Sequence, residues 1–360
     1  MCNFTSVGID THKNSNVVFA IDYKTGETHR AKLNSDPARL IQWLDNLNLT
    51  APVKCVYEAG PTGYELARAL RDAGYECDPI APSKMGHKHD KIKNDQVDAE
   101  NLCRQYIAGG LTLFYVPTRQ EEARAELVRQ REQKKTKLRE SKQRIRSFLL
   151  KYGIKETDAG KPWTKKYIEW CRTLKFNFPE LEVSFRALLR DLDYFTLEVE
   201  ELEEHIFQLV ESDKKLKEVV DRLSCLRGFS KLSASVYVLE LYNQKRFKKP
   251  SALAPYLGLI PSQNDTGSRK QHGNITKCGN KLLRTTLILA ANVFMKRRPS
   301  GIKIPDDVKI DNDTLMLIEK TNARLFQKRD KMKASGKHPN VIKVALAREL
   351  AEHVYVLAQL

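Results

Sequence analysis

The chain has no apolar run long enough to span a bilayer, which excludes a helical membrane anchor. Its opening "MCNFTSVGID" lacks the charged and apolar regions of a signal peptide, so a cytoplasmic location is expected. None of the seven cysteines (Cys2, Cys55, Cys77, Cys103, Cys171, Cys225 and Cys278) forms a C-x-x-C pair. Their odd number and loose spacing argue against a disulfide framework and a structural zinc site. Acid is in short supply as well: 45 Asp and Glu stand against 62 Lys and Arg, a formal net charge of +17 with a pI near 9.4. A surplus of that sign and size points to a polyanionic partner, and nucleic acid is the commonest one. What is abundant is globular material: 360 residues, 41% of them hydrophobic, with room for two or three domains.

Three stretches of different character follow one another. Residues 1–115 alternate strand and helix signals. "SVGID" and "NVVFAID" are β-branched runs across a polar turn, a predicted hairpin. "DPARLIQWLDNL", "GYELARALRDAG" and "DQVDAENLCRQYIAGG" have helical spacing, with "VKCVYEAG" and "CDPIAP" as short strands between them. A mixed sheet covered by helices, hence an α/β fold, is the expectation. From about 118 to 222 the chain predicts two long helices. The first is strongly basic, and the second runs from about Ser184 to Leu223. On the second, Leu188, Leu192, Phe195, Val199, Leu202, Ile206 and Leu209 alternate steps of four and three, the spacing of an antiparallel helical hairpin or of a dimer seam. The basic helix reads either as a solvated face or as a nucleic-acid contact. In the third stretch "LRGFS" at 226–230 resembles a helix-hairpin-helix turn, whose glycine-bearing loop offers N–H groups to a DNA phosphate. A long polar, glycine-punctuated and basic loop between apolar segments follows, holding Arg269, Lys270, His272, Lys277, Lys281 and Arg284; a loop of that length is usually functional or disordered.

Four acids of the first stretch stand where chemistry would want them. Asp10 ends the first strand and Glu58 ends "VKCVYE", while Asp95 and Asp98 open a helix and, three apart, share one of its faces. If the strands of Asp10 and Glu58 are parallel neighbours, both acids reach the same sheet end. Four converging carboxylates repel unless hard divalent cations such as Mg²⁺ lie between them, and two such ions serve phosphoryl transfer. Each acid also has a structural reading: a strand end for Asp10, a loop acid for Glu58, a helix cap for Asp95 and a dipole partner for Asp98. "HKHD" at His87–Asp90 reads as plain loop.

"GIDTHK", "YEAGPTGYE" and "KNDQVDAENLCR" resemble the three signature blocks of the DEDD insertion-sequence transposases of the IS one-ten family, whose relatives include the Piv-type site-specific DNA invertases. "YLGLIPSQNDTGSRKQHGNITKCGNKLLR" resembles that family's C-terminal block, so the matches bracket about residues 5–295. The resemblance implies a RuvC-like, ribonuclease-H-type α/β domain at 1–117, a coiled-coil and basic helical region at 118–222, and a mostly α-helical transposase domain at 223–360. It makes Asp10, Glu58, Asp95 and Asp98 a metal-binding tetrad, with Mg²⁺, two ions per site, as cofactor. It implies attack on a DNA phosphodiester by a hydroxyl, and the position matching the family's serine is Thr266. Threonine can be a nucleophile, although its β-branching restricts the rotamers for in-line attack. Ser268 is the alternative nucleophile, and Ser262 is a third nearby hydroxyl. Arg269, Lys270, Lys277 and Arg284 would contact phosphate, and Gly273 and Gly279 would let the backbone approach it. The partners implied are DNA (element ends and target), a non-coding guide RNA, and further copies of the chain in a dimer or tetramer.

Rival readings are separable. An actin-like or sugar-kinase ATPase also opens with G-I-D, but His12 stands where that phosphate turn wants a small residue. A hydrolytic nuclease would use the same acids without a covalent intermediate, and a non-catalytic binding protein would bind DNA without breaking it.

Overall fold

The computed structural model describes residues 3–80, 95–156, 159–266, 269–296, 301–302 and 304–360; for Asp95, residues 263–266 and residues 269–272 only the backbone is described. The "HKHD" segment lies outside these residues. The chain divides into two compact units, Met1–Thr118 and Arg119–Leu360. Charge divides with them: residues 1–118 carry 13 Lys and Arg against 14 Asp and Glu, and residues 119–360 carry 49 against 31. The whole basic surplus belongs to the second unit.

The first unit is a five-stranded mixed sheet. Its strands are β1 (Thr5–Thr11), β2 (Ser15–Asp22), β3 (Thr28–Asn34), β4 (Val53–Glu58) and β5 (Glu76–Ile80), in the order β3-β2-β1-β4-β5. β1, β2 and β3 pair antiparallel, while β4 is parallel to both β1 and β5. Helices α1 (Pro37–Asp45) and α2 (Glu65–Asp72) cover one face, burying Leu40, Leu44, Leu66 and Leu70 against Val7, Ile9, Cys55 and Tyr57. Helix α3 (Asp95–Ile107) covers the other through Ala99 and Cys103 on Val17 and Phe19, and through Leu102 on Val56 and Ile80. Burial of each of these leucines is worth about 2 kcal/mol. β3 was not predicted: "THRAKLN" has no apolar run, and its alternating half-buried and exposed residues form a polar edge strand.

In the second unit α4 (Arg119–Lys151) and α6 (Pro179–Ser212) lie antiparallel, and α5 (Lys165–Thr173) packs at their far end. Ion pairs record the direction: Arg124 meets Asp213, Arg131 meets Glu203 and Lys134 meets Glu198. The buried seam of α6 is Phe185, Leu189, Leu192, Val199, Ile206 and Val210. It shares only Leu192, Val199 and Ile206 with the predicted stripe, while Leu188, Phe195, Leu202 and Leu209 are half-buried at its flank. The seam passes through Thr196 and Glu203, and a search for apolar spacing alone slid past those polar positions. The predicted single helix to Leu223 is also broken. Asp213 takes extended backbone and its carboxylate accepts from the Lys215 and Leu216 N–H groups, ending α6 and capping α7 (Lys214–Cys225).

α8 (Lys231–Leu241), buried on nearly all sides, is the centre of the C-terminal core, with α9 (Leu253–Tyr256), α10 (Lys281–Val293), α11 (Asn312–Ala334) and α12 (Pro339–Gln359). The polar segment read as a long loop is a hairpin, β6 (Pro261–Thr266) paired with β7 (Arg269–Ile275). Among the described residues no helix is long and apolar enough to cross a membrane.

Candidate active site

The site in the first unit is built from strand alternation and one glycine. Val7 and Ile9 of β1 face α1 and α2, so Ser6, Gly8 and Asp10 belong to the face that α3 covers. A Cβ on Gly8 would lie 2.1 Å from the Ala99 carbonyl oxygen and 2.7 Å from the Cys103 nitrogen, so α3 rests directly on the strand backbone. Two residues earlier, Ser6 Oγ donates to the Cys103 carbonyl at 3.4 Å. The Cys103 thiol, kept protonated by burial, donates back to the Ser6 carbonyl at 3.2 Å. Ser6 opposite Cys103 and Gly8 opposite Ala99 make α3 run antiparallel to β1. One step further, Asp10 comes level with the first turn of α3, the turn that carries Asp95 and Asp98.

Glu58 reaches the same end by register. Ile9 pairs with Tyr57 across the parallel β1–β4 ladder, and the next positions are Asp10 and Glu58. Val56 meets Leu102 of α3 while Tyr57 faces the other side, so alternation puts Glu58 on the α3 face. Asp10, Glu58 and Asp98 are each half-buried. The Asp95 backbone opens α3; its carboxylate lies outside the described atoms. His12, two residues beyond Asp10 in "GIDTHK", holds Nε2 3.2 Å from the Asp10 carboxylate, a contact the sequence reading did not single out. Among the described residues no three His, Cys, Asp or Glu side chains are grouped as a metal site. Asp10 and Glu58 reach one sheet end by register, and they and Asp98 carry hard carboxylate oxygen, the donor type a divalent cation of the Mg²⁺ kind takes.

In the second unit Thr266 ends β6 and pairs in register with Arg269, the first residue of β7. The side chains of Thr266, Arg269 and Lys270 lie outside the described atoms, and Ser268 lies outside the described residues. Ser262 sits at a register shift between Pro261 and Gln263, and its hydroxyl covers Gly273, where a Cβ would lie 2.4 Å from Oγ. Two glycine turns then lock together. Gly258 (φ +64°) leaves no space for a Cβ beside the Cys278 carbonyl, and Gly279 (φ +79°) none beside that of Tyr256, at 2.2 and 1.9 Å. Arg284 Nη1 ties the same turns, donating to the Leu257 and Cys278 carbonyls at 3.0 and 3.2 Å. Gly279 and Arg284, predicted at a phosphate, thus have structural work in the turns themselves. Gly228, the hairpin glycine (φ +96°), is pressed against the backbone of Ala290. Lys277 is exposed, with the left-handed φ of +55° rare outside glycine, its N–H held by the Gly258 carbonyl. Asn280 caps α10 and donates Nδ2 to the buried Glu240 at 2.6 Å, where Arg129 of α4 also binds.

Acids at the ends of adjacent strands, followed by a basic helical unit, describe an enzyme that acts on nucleic acid, and comparison with known proteins defines the class as insertion-sequence transposase. Residues 7–154 match the DEDD transposase family model, and residues 220–303 match that of the transposase IS116/IS110/IS902 family. "Putative transposase y4qE" of Sinorhizobium fredii (strain NBRC 101917 / NGR234) is 32% identical over 84% of this chain and 74% of its own length. The transposase for insertion sequence element IS1328 of Yersinia enterocolitica is 25% identical over 99% of this chain and 97% of its own. The transposase for insertion sequence element IS1533 of Leptospira borgpetersenii is 29% identical over 66% and 70%. The chain belongs to the IS116/IS110/IS902 family of transposases.

Proposed function

We propose that this transposase breaks and rejoins DNA through a hydroxyl nucleophile, Thr266, with Asp10, Glu58, Asp95 and Asp98 holding Mg²⁺, two ions per site. The observation that carries the reading is the shared sheet end of Asp10 and Glu58 on adjacent parallel strands. Ions held there would polarise the scissile phosphate and stabilise the leaving oxygen. The Thr266 oxygen would form a bond to phosphorus, its proton passing to a base or to water, while the O–P bond to one strand end breaks and that oxygen takes up a proton to leave as a hydroxyl. The hydroxyl of a second strand end would then attack the phosphorus, giving up its proton, and Thr266 would leave and regain its own. The strand order β3-β2-β1-β4-β5, with two antiparallel and two parallel pairings, supports a RuvC-like domain. The heptad-spaced seam of α6 supports a coiled coil, here filled by α4 of the same chain. The basic surplus of residues 119–360 suits DNA and a guide RNA alike. Assembly into a dimer or tetramer and a cytoplasmic location belong to the same reading.

The β-branched Thr266 favours one second reading, a hydrolytic nuclease in which water replaces the hydroxyl. The deciding experiment incubates the protein with Mg²⁺, element-end DNA and flanking-element RNA, and looks for a protein–DNA adduct that survives denaturation. An adduct lost in Asp10→Ala and in either Thr266→Ala or Ser268→Ala establishes the recombinase and names its nucleophile. Metal-dependent cleavage without an adduct moves the assignment to the nuclease. Neither cleavage nor adduct leaves a protein that binds without cutting.

A further inference from the structure

A cleft of about 980 Å³ lies between the base of the β6–β7 hairpin and helices α11 and α12. We propose that it is a phosphodiester-binding site, in which Lys277, Arg324, Lys328 and Arg348 receive the backbone of a nucleic-acid strand. The inference rests on the reading that the chain works on nucleic acid. It extends that reading to helices beyond the family-matched segment 220–303.

Three features of the cleft support it. The first is a prepositioned pair of cations. Glu349, buried on α12, binds Arg324 through Nε and Lys328 through Nζ, the latter at 2.6 Å. The Arg324 pair uses Nε, and among the described residues neither terminal guanidinium nitrogen has a protein partner, although the side chain is 68% exposed. A guanidinium fixed at Nε with its outer fork open is suited to a phosphate. Because Glu349 serves two cations, the group keeps a net positive charge.

The second is Lys277. Its left-handed backbone is unfavourable for a residue with a Cβ, yet the turn is pinned by the Gly258 carbonyl and by Arg284, and the lysine is exposed at the cleft. Glycine would relieve the conformation, yet this turn carries a lysine and bears its conformational cost.

The third is the balance of charge and surface. Arg348 is exposed and makes no ion pair among the described residues, and the cleft sets four cations against two acids, Glu349 and Glu352. Leu259, Ile275 and Val344 give the cleft an apolar floor. Cations over an apolar floor match the phosphates and sugar faces of a strand, and the unit that contains them holds the whole basic surplus of the chain.

The test is fluorescence anisotropy of the full chain, with EDTA present, on labelled duplex DNA and on single-stranded RNA of equal length across a salt series. Lys277→Gly/Arg324→Gln/Arg348→Ala is compared with wild type and with Arg190→Ala, an exposed cation on α6 away from the cleft. Lys328 continues to neutralise Glu349 in the triple variant. The expected result is binding about tenfold weaker at moderate salt, with the slope of log K against log salt reduced by about 2–3. Loss confined to DNA or to RNA identifies which strand uses the cleft. Lys277→Gly alone should melt at or above the wild-type temperature while binding more weakly, which separates recognition from stability. If the triple variant melts early, Arg324→Gln/Arg348→Ala, at two exposed positions, decides instead. Affinity and salt slope equal to those of Arg190→Ala overturn the cleft assignment alone. A wild-type protein that binds neither nucleic acid at low salt overturns the functional reading together with it.

Discussion

Gly8 and Ala99 meet backbone to backbone: a methyl group on Gly8 would lie 2.1 Å from the Ala99 carbonyl oxygen. That contact sets the height of α3 above the sheet, and with it the place of the turn bearing Asp98. Gly8→Ala must therefore push the helix away, since both atoms in its path are backbone. A loss of about 3 kcal/mol or more is expected, together with loss of strand cleavage. Thermal melts and cleavage assays on the same preparation check both.

Asp10→Asn and Glu58→Gln keep side-chain volume and remove one charge each from the shared sheet end. Strand cleavage should fall on the order of 10³-fold in either variant. Nucleic-acid affinity measured without metal should stay at the wild-type value, because the basic surplus lies in the other unit. A variant that cleaves at the wild-type rate would remove that acid from the site.

Asp22 ends β2 and is almost fully buried. Burial would raise its carboxyl pKa, but the N–H groups of Thr50, Lys24 and Thr25 donate to it at 2.9, 2.8 and 3.3 Å and hold it down at about 2. Its folded-state pKa is below the unfolded value of 3.8, so the unfolded chain binds the extra proton and stability rises with pH through this window. The contribution, about 2 kcal/mol, is complete above pH 4 and is lost as pH falls from about 4 to 2. Urea midpoints at pH 5 and pH 3 should differ less in Asp22→Asn than in the wild type.

Gly26 and Gly279 share a φ of +79°, yet their surroundings differ. Nothing lies within 4 Å of a Cβ on Gly26, whereas one on Gly279 would lie 1.9 Å from the Tyr256 carbonyl. Gly26→Ala should cost about 1 kcal/mol, the left-handed penalty alone. Gly279→Ala should cost several times that, read as a melting-temperature difference between the two variants.

Glu240 is 3% exposed and takes its positive partner, Arg129, from α4. Arg129→Met leaves a buried carboxylate without its cation and should destabilise by about 3–5 kcal/mol. Adding Glu240→Gln should return part of the loss, a non-additivity that chemical denaturation of the single and double variants measures.

Much of the first unit was legible because its elements announce themselves locally. β1, β2 and β4 are β-branched runs, and α1, α2 and α3 carry apolar residues at helical spacing, with the Asp36 cap before α1 and Gly74 and Gly109 after α2 and α3. β3 escaped because a polar edge strand has no period-2 apolar signal, its order coming from the ladder to β2. The seam of α6 was misread by one position because Thr196 and Glu203 occupy places that spacing rules assign to apolar side chains. Arg131 of the facing helix pairs with Glu203, and the Thr196 hydroxyl donates to the Leu192 carbonyl. The hairpin at 261–275 was taken for a loop because its sequence is polar throughout and only cross-strand pairing orders it.

The same division holds for the site. Sequence alone determined which residues are candidates: acids at strand and helix ends, a hydroxyl in a glycine-punctuated basic segment, and the family to which their order belongs. Charge, helical spacing and turn chemistry are properties of neighbours along the chain, and they can be read from it. Tertiary structure alone decided which candidates meet. Asp10 and Glu58 share a sheet end because β1 and β4 pair parallel in one register, and a missing Cβ at Gly8 lets the helix that carries Asp98 settle on the strand. Arg284 and Gly279 hold turns together for a like reason, since carbonyl groups brought from residues 256–257 stand within bonding or contact distance. Those distances arise between residues far apart in the chain, and packing alone brings them within reach.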